Sequence, residues 1–121
     1  MSEAPGTGLS GALPAEDAKI VTLARSARAR TRAAEGAAVR DLDGRTYAGA
    51  TVALESLQVS AVGVAVSMAV SSAALGLEAV AVVGADSLAP ADLAAVRDLA
   101  GTGVPVLRCG PDGTVQERLA T

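Results

Sequence analysis

The chain has 121 residues, which suffice for one domain, and half of them are hydrophobic. Tyr47 is the only aromatic residue, so the core has to be built mainly from alanine, valine and leucine. A net charge of −3 argues against a nucleic-acid partner, because phosphate contact needs clustered cations and bases stack on aromatic rings, which are almost lacking.

One cysteine, Cys109, rules out an internal disulfide and suits a reducing cytoplasm. The N-terminal sequence lacks the basic and apolar segments of a signal peptide. Residues 59–83 are long and nearly uncharged, but Gly76 divides them, so we expect a buried helix and a buried strand rather than a membrane span. Abundant alanine, with nine arginines beside one lysine, indicates a bacterial source.

Residues 1–13 are rich in glycine, proline and serine, which predicts a disordered tail before a domain at 14–121. Residues 6–11 match the dinucleotide pattern G-x-G-x-x-G, but no strand precedes them, so a flexible tail is the better interpretation. A helix is predicted over about 14–34, with Glu16 and Asp17 in its first turn. Its arginines are expected to form a solvated face or, alternatively, to bind an acidic partner: Arg25, Arg28, Arg30 and Arg32.

The rest of the chain alternates strands and helices. Asp43-Gly44 predicts a tight hairpin, and Pro90 is typical of a helix start. Strands are expected at 37–42, 46–53, 78–83, 104–108 and 114–118, and helices at 60–75 and 90–100. The order α-β-β-α-β-α-β-β predicts an α/β fold of three α-β-α layers, with a mixed five-stranded sheet and an N-terminal antiparallel hairpin.

Three segments carry a family resemblance. Residues 35–53 read E-G-A-A-V-R-D-L-D-G-R-T-Y-A-G-A-T-V-A, which resembles the opening hairpin of zinc-dependent cytidine deaminases, V-G-A-A-L-x-x-x-D-G-x-x-Y-x-G-x-N-V-E. Residues 78–83 and the ending V-P-V-L-x-x-x-x-D-G-x-V from Val104 are also similar to that family. The resemblance covers about residues 18–118 and implies the same order of elements.

The resemblance also implies a lost metal site. Family members hold zinc through a C-A-E motif and a P-C-x-x-C motif, and the glutamate moves protons. The matching residues here are Ser60-Ala61-Val62 and the segment P-A-D-L-A at 90–94, which puts Ala91 and Ala94 at the two cysteines. Serine is a poor zinc ligand and alanine is none, so we expect no metal, no cofactor and no catalytic residue.

The substrate-binding side differs as well. Where the family has N-V-E to hold the ribose, this chain has Thr51-Val52-Ala53, and Ala33 falls near a phenylalanine that faces the pyrimidine. A second alignment would use Glu55 as the proton carrier and needs about two more helical turns before Glu78. It still supplies no thiolate.

Other candidate groups have simpler interpretations. Without histidine no Ser-His-Asp or Cys-His arrangement is possible, so Cys109 is expected to be a half-buried structural cysteine. Asp86 and Ser87 follow a predicted parallel strand, where α/β sites often form, but a helix-capping turn is the simpler expectation. Asp86 and Asp92 would also be the carboxylates available to an enzyme of another mechanism.

The second predicted helix, at 60–75, has unusually small side chains. Small residues recur along it at Gly63, Ala65, Ser67, Ala69, Ser71 and Ala73. They predict either tight packing on the sheet or a subunit contact, and the resemblance favours a homo-oligomer, a dimer or a tetramer. We therefore expect a cytidine deaminase-like protein without activity, with a structural or regulatory role through self-association or a protein partner. The alternative is a nucleoside-like ligand bound without chemistry.

Overall fold

The computed structural model describes residues 13–121. The predicted tail, with the G-x-G-x-x-G pattern, lies outside the described residues except for Leu13, which packs against the core. The helices are α1 (Ala15–Thr31), α2 (Ala61–Ser71) and α3 (Pro90–Ala100). The strands are β1 (Gly36–Asp41), β2 (Thr46–Ala50), β3 (Val52–Leu54), β4 (Leu57–Val59), β5 (Leu77–Val83), β6 (Pro105–Cys109) and β7 (Val115–Ala120).

Five strands form one mixed sheet in the order β2-β1-β5-β6-β7. The pair β5–β6 is parallel, and the other neighbours are antiparallel. The opening hairpin β1–β2 pairs Val39 with Tyr47 across the Asp43-Gly44 turn. This is the predicted sheet, and its register follows from the alternation of side chains along each strand.

The two faces of the sheet are covered by different helices. Val80 and Val82 of β5 belong to a core cluster with residues of α2 and α3, including Val62 and Val96. The intervening Ala79 and Ala81 belong to a second cluster with Ile20 and Ala24 of α1. The predicted three α-β-α layers are therefore confirmed, with a core of small aliphatic side chains on both faces.

Two glycines of the hairpin motif are required by close packing. A Cβ on Gly36 would collide with the carbonyl oxygen of Ala24, so α1 lies against the backbone of β1. A Cβ on Gly49 would collide with the side chain of Val64, so α2 lies equally close to β2. The spacing of glycines that carried the resemblance is thus set by helix–sheet contact.

The segment between the hairpin and α2 differs from the prediction. The sequence predicted one strand to Ala53, but β2 ends at Ala50 and residues 52–59 form a separate hairpin, β3–β4. Thr51 makes the last contact with the β1 side: its backbone N–H donates to the carbonyl of Glu35 at 3.0 Å, and its hydroxyl accepts from the Glu35 N–H at 3.1 Å. The chain then leaves the sheet.

The first two helices are shorter than predicted. Helix α1 ends at Thr31 because Arg32 adopts a left-handed conformation, with φ 55°. Helix α2 ends at Ser71, where the prediction continued to residue 75, and Ala73 has φ 66°. The Ala74 N–H then donates to the Ala69 carbonyl at 3.0 Å, which is the six-to-one bond of a Schellman motif formed without glycine.

No helix in the described part of the chain is both long and apolar enough to cross a membrane.

Candidate functional site

The N-termini of α2 and α3 meet at Ser60 and Asp92. Ser60 is the N-cap residue of α2, and its Oγ accepts a hydrogen bond from the Gly63 N–H at 2.9 Å. The same hydroxyl donates to Oδ1 of Asp92, in the first turn of α3, at 2.6 Å. One serine therefore caps one helix and ties it directly to the other.

The positions that the resemblance assigned to zinc are occupied by groups of another chemistry. Val62, at the proton-carrier position, is 2% exposed and packs in the core between the sheet and α2. Ala91 and Ala94 offer only methyl groups in the first turn and a half of α3. Since the hydroxyl of Ser60 is already engaged twice, this donor set does not fit a zinc ion. Among residues 13–121, no three His, Cys, Asp or Glu side chains are grouped so that they could hold a metal.

Asp92 and Asp86 lie close enough to Glu35 for their charges to act on it. Burial raises the pKa of Glu35, and the negative charges of Asp92 and Asp86 raise it further. Glu35 was not singled out from the sequence, although it directly precedes the motif glycine Gly36, which signals its position at the start of β1. Asp86 and Ser87 are exposed and do not cap α3, because its N-cap is Ala89 and no side chain bonds there; the helix-capping prediction is wrong.

The positions that the resemblance assigned to ribose binding lie at the start of the β3–β4 hairpin. Thr51 is half-buried and bonds only the backbone of Glu35, whereas Ala53 is exposed. Glu55 lies in the exposed turn between β3 and β4, and α2 begins only after Ser60. The second alignment needs extra helical turns in this segment, and the structure has a hairpin there.

Two other titratable groups are buried. Asp41, 2% exposed, accepts hydrogen bonds from the backbone N–H groups of Arg45 and Asp43 and from the Tyr47 hydroxyl. Burial alone would raise the pKa of Asp41, but these hydrogen bonds outweigh it and the pKa lies below its ordinary value. Asp41 therefore closes the β1–β2 turn.

Cys109 is fully buried at the end of β6, more deeply than the half-buried position that was predicted. Burial raises the pKa of its thiol to about 11, although the charges of Arg108 and Arg118 oppose the shift. The thiol is thus protonated near neutral pH and packs as a small apolar side chain.

The comparisons with known proteins agree with this architecture. The family model described as cytidine deaminase-like matches residues 13–113, and the chain belongs to this family. Among curated proteins, no sequence matches the chain.

Solved structures of cytidine deaminases share the fold. The chain is similar to the cytidine deaminase of Burkholderia pseudomallei, with a TM-score of 0.71 and 21% identity over 85% of this chain and 89% of the other. For the enzyme of Mycobacterium leprae the TM-score is 0.67, with 20% identity over 84% and 90%. For a mutant of the Mycobacterium tuberculosis enzyme it is 0.64, with 24% identity over 73% and 81%.

Proposed function

We propose that this chain is a cytidine deaminase-like protein that does not deaminate, and that it has a structural or regulatory role in a bacterial cytoplasm through self-association or a protein partner. The observation that carries the proposal is the 2.6 Å hydrogen bond from Ser60 to Asp92. It joins two helix N-termini at the positions that the resemblance assigns to the metal ligands, where deamination of this type needs a metal-bound water and a proton carrier. A serine engaged twice and a buried Val62 provide neither group.

Exposed apolar side chains support association with another protein surface. A groove of about 420 Å³ lies between α2 and α3, lined mostly by apolar side chains that include Val66, Val70 and Leu99. Val70 is 53% exposed, and Leu54 and Leu57 of the β3–β4 hairpin are also exposed. Burying such side chains in a dimer or tetramer would remove apolar area from water, which favours association.

The test combines metal content, activity and mass. Purified protein is expected to contain no stoichiometric zinc and to form no uridine from cytidine above a boiled control. Light scattering is expected to give a mass above the 11.8 kDa of one chain. Uridine production that depends on added zinc would overturn the loss of activity. A mass equal to one chain at micromolar concentration would exclude self-association. A role through a protein partner would then be the remaining proposal.

A nucleoside-like ligand bound without chemistry is the second candidate. It is supported by the grouping of Glu35, Asp86 and Asp92 near the same junction, because polar groups that converge are typical of ligand sites. A rise in melting temperature with cytidine or deoxycytidine, reduced in an Asp92→Ala variant, would favour this candidate. An unchanged melting temperature with both nucleosides would exclude them as ligands.

A further inference from the structure

A second concave site lies on the opposite face of the sheet, along the outer side of α1. It is a groove of about 230 Å³ between α1 and the turn that joins β6 to β7. Thr22, Arg25, Ser26, Arg28 and Ala29 line it from the helix, and Pro111 lines it from the turn. No carboxylate is among these lining residues.

Arg28 is fixed by its surroundings. Its Nε donates to the carbonyl oxygen of Ala34 at 3.0 Å. Its side chain also lies against Gly84, where an added Cβ would stand 2.6 Å from Nε. Part of the rotamer entropy that an arginine loses on binding a ligand is therefore already lost in the folded protein.

Arg25 lines the same side of the groove, about one turn of α1 before Arg28. Its side chain crosses Gly113, where an added Cβ would stand 2.8 Å from Cδ. The carboxylate of the neighbouring Asp112 is occupied by Thr114, whose backbone N–H and hydroxyl both donate to it at 2.9 Å. Asp112 is close enough to attract Arg25, but no hydrogen bond joins the two side chains.

Helix α1 carries several arginines, although the net charge of the whole chain is −3. Ion pairs within residues 13–121 join Arg40 to Asp17 and to Glu78, and Arg108 to Glu117. None of these pairs uses an arginine of α1. Two arginine side chains therefore line one small groove without a carboxylate salt bridge among the described residues.

We propose that this groove binds a small phosphate dianion, either inorganic phosphate or the phosphate of a monoester. A phosphate carries about −1.5 to −2 charges near neutral pH and several acceptor oxygens, and guanidinium groups match its geometry. Two arginines and the hydroxyl of Ser26 supply donors from the helix side. This inference goes beyond the proposed function and does not depend on it, because neither Ser60 nor Asp92 lines the groove.

The test is a titration of the full chain with sodium phosphate at constant ionic strength, followed by amide NMR shifts. Saturable shifts are expected around residues 22–29 and 110–113. Arg25→Gln is expected to weaken binding about tenfold or more, as the loss of a charge-assisted hydrogen bond does. Arg30→Gln is the matched control, since Arg30 is exposed on the same helix and does not line the groove.

Further experiments distinguish inorganic phosphate from a phosphate monoester and check that the variants fold. Asp112→Asn should tighten phosphate binding, because it removes a negative charge near Arg25 while keeping an oxygen acceptor for Thr114. Tighter binding of phenyl phosphate than of phosphate would identify a monoester as the ligand, and the reverse would identify free phosphate. The absence of saturable shifts in the millimolar range would overturn the proposal. So would an equal loss of affinity in Arg25→Gln and Arg30→Gln, with circular dichroism confirming that both variants fold.

Discussion

Ser60 joins two helices through one hydroxyl, so its substitution is expected to affect both. Ser60→Ala removes the cap of α2 and leaves Asp92 without its donor. Loss of an N-cap costs about 1 kcal/mol, and the free energy of unfolding should fall by about that amount or somewhat more. Urea denaturation measures the change. Ser71→Ala is the control, because Ser71 is exposed and bonds only the Met68 carbonyl; an equal loss in both variants would contradict the role of Ser60.

Asp41 is expected to make stability depend on acid pH. Its folded-state pKa is below the ordinary value, so its contribution is fully present above the unfolded-state pKa of about 4 and is lost as pH falls through the folded-state pKa. In Asp41→Asn, the fall in unfolding free energy between neutral and acid pH should therefore be smaller than in the wild-type chain. Thermal melts across that range test this. Asp43→Asn changes an exposed carboxylate of the same turn and should keep the wild-type slope.

At the scale of single elements, the end of α2 carries avoidable strain. Ala73 adopts φ 66°, a left-handed conformation that glycine reaches without steric cost. Ala73→Gly is expected to raise the free energy of unfolding by about 0.5–1 kcal/mol, because relief of a left-handed Cβ penalty of about 1–2 kcal/mol is partly offset by the greater conformational entropy of glycine in the unfolded chain. Differential scanning calorimetry would detect the gain. Ala69→Gly, at a buried position in the last turn of the same helix, should lose stability, and stabilisation by both substitutions would contradict this account.

The same elements illustrate what the sequence could predict. The short β-branched run of β5 and the Asp43-Gly44 turn were readable because each is a signal in the local residue order. The β3–β4 hairpin was not, because its turn at Glu55-Ser56 has none of the glycine, asparagine or aspartate residues that mark a tight hairpin. The positions of Ser60 and Ala91 came from the resemblance, but the bond from Ser60 to Asp92 depends on how two helices pack, which no local pattern encodes.

At the scale of the whole molecule, the face of α2 that carries the small residues Ser67 and Ser71 is expected to take part in self-association. Ser67 and Ser71 are both exposed, so a large side chain can be added there without filling the core. Ser67→Trp should lower the mass measured by light scattering while the circular dichroism spectrum stays that of a folded chain. Arg97→Trp, on an exposed position of α3, is the control for added aromatic surface. If the wild-type chain is an oligomer and the Ser67→Trp variant has the same mass, this face of α2 does not form the subunit contact.

The central position of β5 has a consequence for the speed of folding. Hairpins β1–β2 and β6–β7 pair residues near in sequence, such as Val39 with Tyr47, whereas β5 pairs across a long loop, with Ala38 opposite Ala81. Closing that loop costs entropy before the sheet is complete, so docking of β5 is expected to limit the folding rate. Val80→Ala should then slow refolding in stopped-flow experiments, whereas Val115→Ala on edge strand β7 should mainly speed unfolding. An unchanged refolding rate in Val80→Ala would mean that the two hairpins, and not the strand between them, form the barrier.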